Sequence, residues 1–114
     1  MTQQKSAMRG VDVILQNAAS ADEAPGLVIA IPSSFHYHEL RIRGSSGVAS
    51  GAVQPEMCGS NDYTGTWGQV GGGPITVVAD TELVYAWEGS VTFLRCRIST
   101  AIGSGTGTVT YKGE

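Results

Sequence analysis

The sequence has few charged residues and no long apolar run, and each shortage excludes a class of protein. Charged residues make up 15% of the 114 residues and the net charge is −3. Non-specific nucleic-acid binding normally needs a basic surface, so no nucleic-acid partner is predicted. No apolar run approaches the roughly 20 residues that span a bilayer, and no membrane partner is predicted either.

Cysteine is also scarce. Cys58 and Cys96 are the two cysteines, too few for a disulfide framework or a four-ligand zinc site. We expect a buried, reduced pair, because Cys96 falls on the apolar face of a predicted strand. A single bridge between them stays open, since spacing alone does not exclude it. The first ten residues, MTQQKSAMRG, lack the apolar stretch of a secretory signal, so synthesis in a cytoplasm is expected.

Glycine is plentiful, with 16 residues, and it is accompanied by many threonines, valines and serines. This composition is typical of short strands joined by tight turns. The length suits one domain. We predict a flexible N-terminal arm over 1–10 and a single domain over 11–114.

The strongest pattern is Glu82–Thr100, ELVYAWEGSVTFLRCRIST. It predicts two strands that fold back on each other as a hairpin at Glu88-Gly89-Ser90. In the second strand, alternate residues are apolar, which indicates one face in a core and the arginines Arg95 and Arg97 on the other. The predicted core residues are Leu94, Cys96 and Ile98.

Further short strands are predicted on both sides of this segment, at near-regular spacing and with no clear helix. They are Val11–Gln16, Leu27–Ile31, Phe35–Arg43, Val48–Met57, Thr66–Val70, Ile75–Ala79 and Thr108–Lys112. The resulting eight or nine strands predict an all-β, antiparallel two-sheet sandwich, with the jelly roll as a candidate topology.

No catalytic constellation is visible, so the chain is predicted not to be an enzyme and to need no cofactor. His36 and His38 have the spacing with which cupin-like enzymes hold a metal. Glu39 follows immediately and points to the opposite face, and there is no third histidine. We therefore favour a hydrogen-bonded pair of strand histidines and predict no metal site, with a cupin-like enzyme as a remote alternative.

Two Arg-x-Arg pairs contain four of the seven basic residues: Arg41/Arg43 and Arg95/Arg97. Each pair projects from one face of its predicted strand. One interpretation is a solvated sheet face with Glu39 and Glu88 as local partners. The other is a contact surface for acidic groups of another protein, because the planar arginine fork makes bidentate contacts with carboxylates.

Four segments together resemble a β-sandwich family common among tailed-bacteriophage structural proteins. They are LQNAASADEAPGLVIAIPSSFHYHELRIRG, VQPEMCGSNDYTGTWGQV, FLRCRIST and GTVTYKG. The residues that match the family's pattern are Ser60, Asp62, Trp67, Arg95, Arg97 and Thr108–Thr110. The resemblance extends from about Leu15 to Gly113.

This resemblance implies a virion structural protein, most specifically a capsid decoration (cement) protein. It implies two partners, the major capsid protein and further copies of the chain in a homotrimer. It also implies assembly in the host cytoplasm and a final location in the virion. Such a subunit would hold neighbouring capsid proteins together through several modest contacts.

The Ser-Asn-Asp…Trp and Arg-x-Arg elements also resemble discoidin-like binding sandwiches. That similarity implies an alternative, a carbohydrate-binding or fibre/tail module that recognises a host surface through Tyr63 and Trp67. The Asp-Gly turn of those domains is replaced here by Asp62-Tyr63-Thr64-Gly65. Six residues are therefore candidates for partner binding: Arg41, Arg43, Arg95, Arg97, Tyr63 and Trp67.

Overall fold

The computed structural model describes residues 13–19, 28–59 and 66–114, with the backbone alone described at 17–19. The predicted N-terminal arm over 1–10 lies outside the described residues. Tyr63 and the start of the first predicted strand lie outside them as well.

Nine strands form the described part of the chain, in keeping with its content of glycine and β-branched residues. They are β1 Val13–Ala19, β2 Ile29–Ala30, β3 Tyr37–Gly44, β4 Ser50–Cys58, β5 Gly68–Gln69, β6 Ile75–Thr76, β7 Glu82–Glu88, β8 Phe93–Gly103 and β9 Gly107–Gly113. Each lies within or overlaps a segment predicted to be a strand. β2, β5 and β6 have two residues each and are the shortest.

The strands form two antiparallel sheets. Sheet A has four strands in the order β1-β9-β3-β7. Sheet B has five, in the order β2-β8-β4-β5, with β6 also paired to β4. The chain is therefore an all-β, antiparallel two-sheet sandwich, which confirms the predicted fold class.

The predicted hairpin at Glu88-Gly89-Ser90 is wrong. β7 pairs with β3 in sheet A, whereas β8 pairs with β4 and β2 in sheet B. The turn, in which Gly89 has φ +136°, carries the chain from one sheet to the other. Alternating apolar residues show that a strand has a core face. They do not distinguish two strands in one sheet from two strands that face each other across the core.

The core lies between the sheets. Leu94, Cys96 and Ile98 of β8 are buried there, as predicted. Sheet A contributes Leu40, Ile42, Val109 and Tyr111. An irregularity in β1 turns Gln16 inward, and its Nε2 donates to the Cys96 carbonyl at 2.9 Å, which links the two sheets.

Neither cysteine is in a disulfide; Cys96 is buried and Cys58 is half-buried. Cys96 lies opposite Pro55, three residues along β4 from Cys58. Three residues of strand span about 10 Å, beyond the reach of a disulfide, and an odd spacing places the two side chains on opposite faces.

In the described part of the chain, no helix is long and apolar enough to cross a membrane.

Candidate functional site

The two arginine pairs lie on opposite outer faces of the sandwich. Arg41 and Arg43 alternate with core residues of β3 and so face outward from sheet A. Arg95 and Arg97 alternate with core residues of β8 and face outward from sheet B. Since the core separates the two pairs, no single flat partner can contact both.

On sheet B, the carboxylate of Glu56 lies between Arg95 and Arg97. Arg95 is directly opposite Glu56 in the register of β4 and β8. Its Nε donates to Glu56 Oε1 at 2.7 Å, and its Nη2 lies 2.6 Å from the same oxygen. Arg97 Nε donates to Oε2 at 3.1 Å. One carboxylate thus accepts from two guanidinium groups, which leaves the trio with one net positive charge.

Burial separates the roles of these two arginines. The Arg95 side chain is 10% exposed, and that of Arg97 is 38% exposed. The guanidinium of Arg95 lies 4.4 Å from the centroid of the Trp67 ring, a cation–π contact. Arg95 is therefore held inside the protein between Glu56 and Trp67, and Arg97 is the arginine of this pair that presents charge to solvent.

The structure thus brings Trp67 and Arg95 together, although sequence reasoning assigned them to different partners. Trp67 begins the return of the chain into β5, which pairs with β4 beside Glu56. Glu56 itself was missed as a site residue. The available signal was the alternation of Gln54 and Glu56 with Val53 and Pro55, which placed polar side chains on the outer face of a strand.

On sheet A, the outer face combines charged, hydroxyl and apolar side chains. Arg41 Nε donates to Glu39 Oε2 at 2.8 Å and lies 4.0 Å from Glu82 Oε2. The predicted partner Glu39 is thus confirmed for Arg41. In contrast, Arg43 is exposed, and no ion pair joins it to another described residue. A shallow cleft of about 150 Å³ is lined by Arg41, Arg43, Glu82, Thr108 and Thr110.

The registers of sheet A place one row of residues straight across this face. Thr110 pairs with Ile14 on one side and with Arg41 on the other, and Arg41 pairs with Val84. Ile14 is 46% exposed and Val84 is 59% exposed. Two exposed apolar side chains therefore flank a central arginine, a mixture typical of protein contact surfaces.

His38 is a buried core histidine with both ring nitrogens occupied. Its Nε2 donates to the Gly89 carbonyl at 2.8 Å, so in the neutral ring Nδ1 accepts from the Tyr111 hydroxyl at 2.7 Å. Burial raises the pKa of Tyr111 to about 12. The predicted hydrogen-bonded role is confirmed for His38. The prediction of a hydrogen-bonded pair of histidines is wrong, because His36 is exposed. His36 lies just before β3, where the strand alternation no longer directs its side chain inward.

His36 instead lines an open cleft of about 560 Å³ at one end of the sandwich, with Ser34, Tyr37, Glu88, Gly89 and Glu114. Over the described ranges, no three side chains of histidine, cysteine, aspartate or glutamate are grouped so that they could hold a metal ion.

Comparison with known proteins adds a likeness in fold. No protein-family model matches the chain, and no curated protein matches its sequence. Among solved structures, the SPBc2 prophage-derived protein YomS is similar, with a TM-score of 0.57 and 10% identity. The match covers 91% of this chain and 92% of YomS. The similarity concerns the fold.

Two further structures are similar at lower TM-scores. The CBM22-1 xylan-binding domain of Paenibacillus barcinonensis Xyn10C has a TM-score of 0.47 and 13% identity, with 92% of this chain and 83% of that domain covered. A chain from the disulfide-linked pili of Bacillus endospore appendages has a TM-score of 0.43 and 16% identity, with 90% and 84% covered. Neither value is high enough to support an argument about function.

Proposed function

We propose that this protein is a structural subunit of a phage virion that binds the capsid lattice as a decoration (cement) protein. The observation that carries the proposal is the likeness to prophage-derived YomS, because it spans nearly the whole of both chains. The described residues form a small two-sheet sandwich, an architecture that suits a protein acting through its surfaces.

The two outer faces support this role. Arg43 on sheet A and Arg97 on sheet B are both accessible, and they lie on opposite sides of the core. A subunit with a contact group on each side can touch two neighbouring capsid proteins at once. Several modest contacts then act together, so that attachment is much tighter than any single contact would give.

We also assign the sandwich to the jelly-roll type. The order β1-β9-β3-β7 faces the order β2-β8-β4-β5. Apart from the β4–β5–β6 segment, successive strands alternate between the two sheets. This alternation supports a double Greek-key arrangement, in which distant strands become neighbours.

The proposed partners are the major capsid protein and other copies of the chain, in a homotrimer. The proposed site of assembly is the host cytoplasm, with the virion as the final location. Carboxylates of the capsid protein are the groups that Arg43 and Arg97 would contact, since each arginine offers a planar donor fork.

Co-sedimentation with capsids that lack this protein tests the proposal. We expect saturable binding of the wild type and weaker binding of Arg43→Glu, with the larger loss at low salt, where acidic partners are least screened. Ser46→Glu, in an exposed turn, is the matched control and should bind like the wild type. A folded wild type that stays in the supernatant would contradict the proposal.

Carbohydrate recognition through Trp67 is the alternative. Arg95 already covers one face of the indole ring, so a sugar would have to stack on the opposite face. Tyr63, the second predicted aromatic, lies outside the described residues. A glycan array that shows dose-dependent binding, lost in Trp67→Ala, would favour this function over capsid binding.

A further inference from the structure

Among the strands that the structure describes, β7 lies at an edge of sheet A. It pairs with β3 at seven successive positions, from Glu82 to Glu88. Among the described residues, no strand pairs with its other side. Edge strands are often protected by charged side chains, above all lysine, by proline, by a bulge or by a covering segment. The sequence of β7, ELVYAWE, contains no lysine or proline, its charges are confined to the glutamates at its two ends, and its register with β3 has no irregularity.

The outer face of β7 has an apolar centre between two acidic ends. Glu82, Val84, Ala86 and Glu88 are exposed, and Val84 is 59% exposed. The opposite face of β7, which carries the alternate residues, is half-buried against the core. A strand that extends the sheet here would meet a carboxylate at each end and small or apolar side chains between them.

A second copy of β7 does not fit this edge. The one antiparallel register that pairs all seven residues places Tyr85 opposite Tyr85 of the other copy. It also places Glu82 opposite Glu88 at both ends. Like charges directly opposite each other are destabilising in a sheet. The partner strand should therefore be basic where β7 is acidic.

We propose that residues 3–9 of a second copy of the chain add to β7 as an antiparallel strand. With Arg9 opposite Glu82, Ala7 lies opposite Val84 and Lys5 lies opposite Ala86. Lys5 is then one diagonal step from Glu88, within reach of a long side chain. The segment QQKSAMR thus matches both the charges and the apolar centre of the β7 edge.

The position of β1 determines the kind of assembly that results. Residues 1–12 precede β1, which lies at the edge of sheet A opposite β7. The contact therefore joins two different surfaces, the N-terminal segment of one copy and the β7 edge of the next. Head-to-tail contacts of this kind close into rings when the rotation permits. Such self-association requires no capsid.

Analytical ultracentrifugation of the full chain over a range of concentrations tests this assembly. We expect oligomers for the wild type and monomers after deletion of residues 1–10. Two charge reversals, Glu82→Lys with Glu88→Lys and Lys5→Glu with Arg9→Glu, should each raise the dissociation constant about tenfold or more. All four substitutions together should restore association.

Matched controls keep the result interpretable. Ser46→Lys, in an exposed turn away from β7, should associate like the wild type, and circular dichroism melts should show that every variant is folded. A monomeric wild type would overturn the proposal. Association that survives the deletion, or charge reversals that do not rescue each other, would overturn it equally.

Discussion

Glu56 and Arg95 face each other directly across β4 and β8, and the Arg95 Nε donates to Glu56 Oε1 at 2.7 Å. Arg97 donates to the other oxygen of the same carboxylate. The pair is nearly buried, so Glu56 compensates charges that would otherwise be enclosed without a partner. One interpretation of the sequence named Glu39 and Glu88 as local partners of the arginine pairs, whereas the carboxylate that contacts Arg95 and Arg97 belongs to Glu56.

Removal of the Glu56 carboxylate should destabilise the domain strongly. In Glu56→Ala, the buried Arg95 loses its counter-charge, and breaking a buried pair typically costs about 3–5 kcal/mol. The free energy of unfolding, measured by urea denaturation, checks this. Glu39→Ala is the matched control, since Glu39 pairs with the more exposed Arg41 and should cost less than about 1 kcal/mol. Equal losses in the two variants would contradict the proposed role of Glu56.

Truncation of Leu94 should also be costly, through lost packing rather than lost charge. Leu94 is fully buried between the sheets. Leu94→Ala should lower the free energy of unfolding by about 2–5 kcal/mol, the usual cost of such a cavity. Val84→Ala, on the exposed face of β7, should change it little. A loss below about 1 kcal/mol for Leu94→Ala would place β8 at the surface.

Tyr111 should make the domain less stable at high pH. Its pKa is about 12 in the folded protein and about 10 in an unfolded chain. Between these values the unfolded state holds fewer protons, so stability falls as pH rises from about 10 to 12. Urea denaturation across this range should show a shallower fall for Tyr111→Phe than for the wild type. Parallel curves for the wild type and Tyr111→Phe would contradict the assignment.

The two cysteines should be reduced and should differ in reactivity. Alkylation under denaturing, non-reducing conditions should modify both thiols, as read by intact mass. In the folded protein, half-buried Cys58 should react well before buried Cys96. Finding no modified thiol after denaturation would indicate a disulfide, which the opposite orientations of the two side chains oppose.

Local patterns predicted which face of a strand lies in the core, but not which strands pair with each other. Alternation along β8 correctly placed Leu94 in the core and Arg97 on the outer face, because side chains on a strand alternate strictly. The longest pairing of β8 is with β4, about 40 residues earlier in the chain, and no local pattern encodes that pairing. The hairpin prediction failed for this reason: the nearest strand in sequence was taken as the nearest in space.

The candidate site shows the same limit. The outward direction of Arg41 and Arg97 followed from periodicity, whereas the carboxylate that engages Arg95 depends on the β4–β8 register. The row that joins Ile14, Thr110, Arg41 and Val84 draws one residue from each of four strands. Such a surface exists only once the order of the sheet is known.

The central claim is that this protein binds and stabilises a capsid lattice. The most direct measurement is the disruption temperature of capsids assembled without the protein, before and after saturation with it. Saturation should occur at a fixed copy number per capsid, and the decorated capsids should disrupt at a higher temperature. Unchanged disruption after saturation, or binding that never saturates, would contradict the claim.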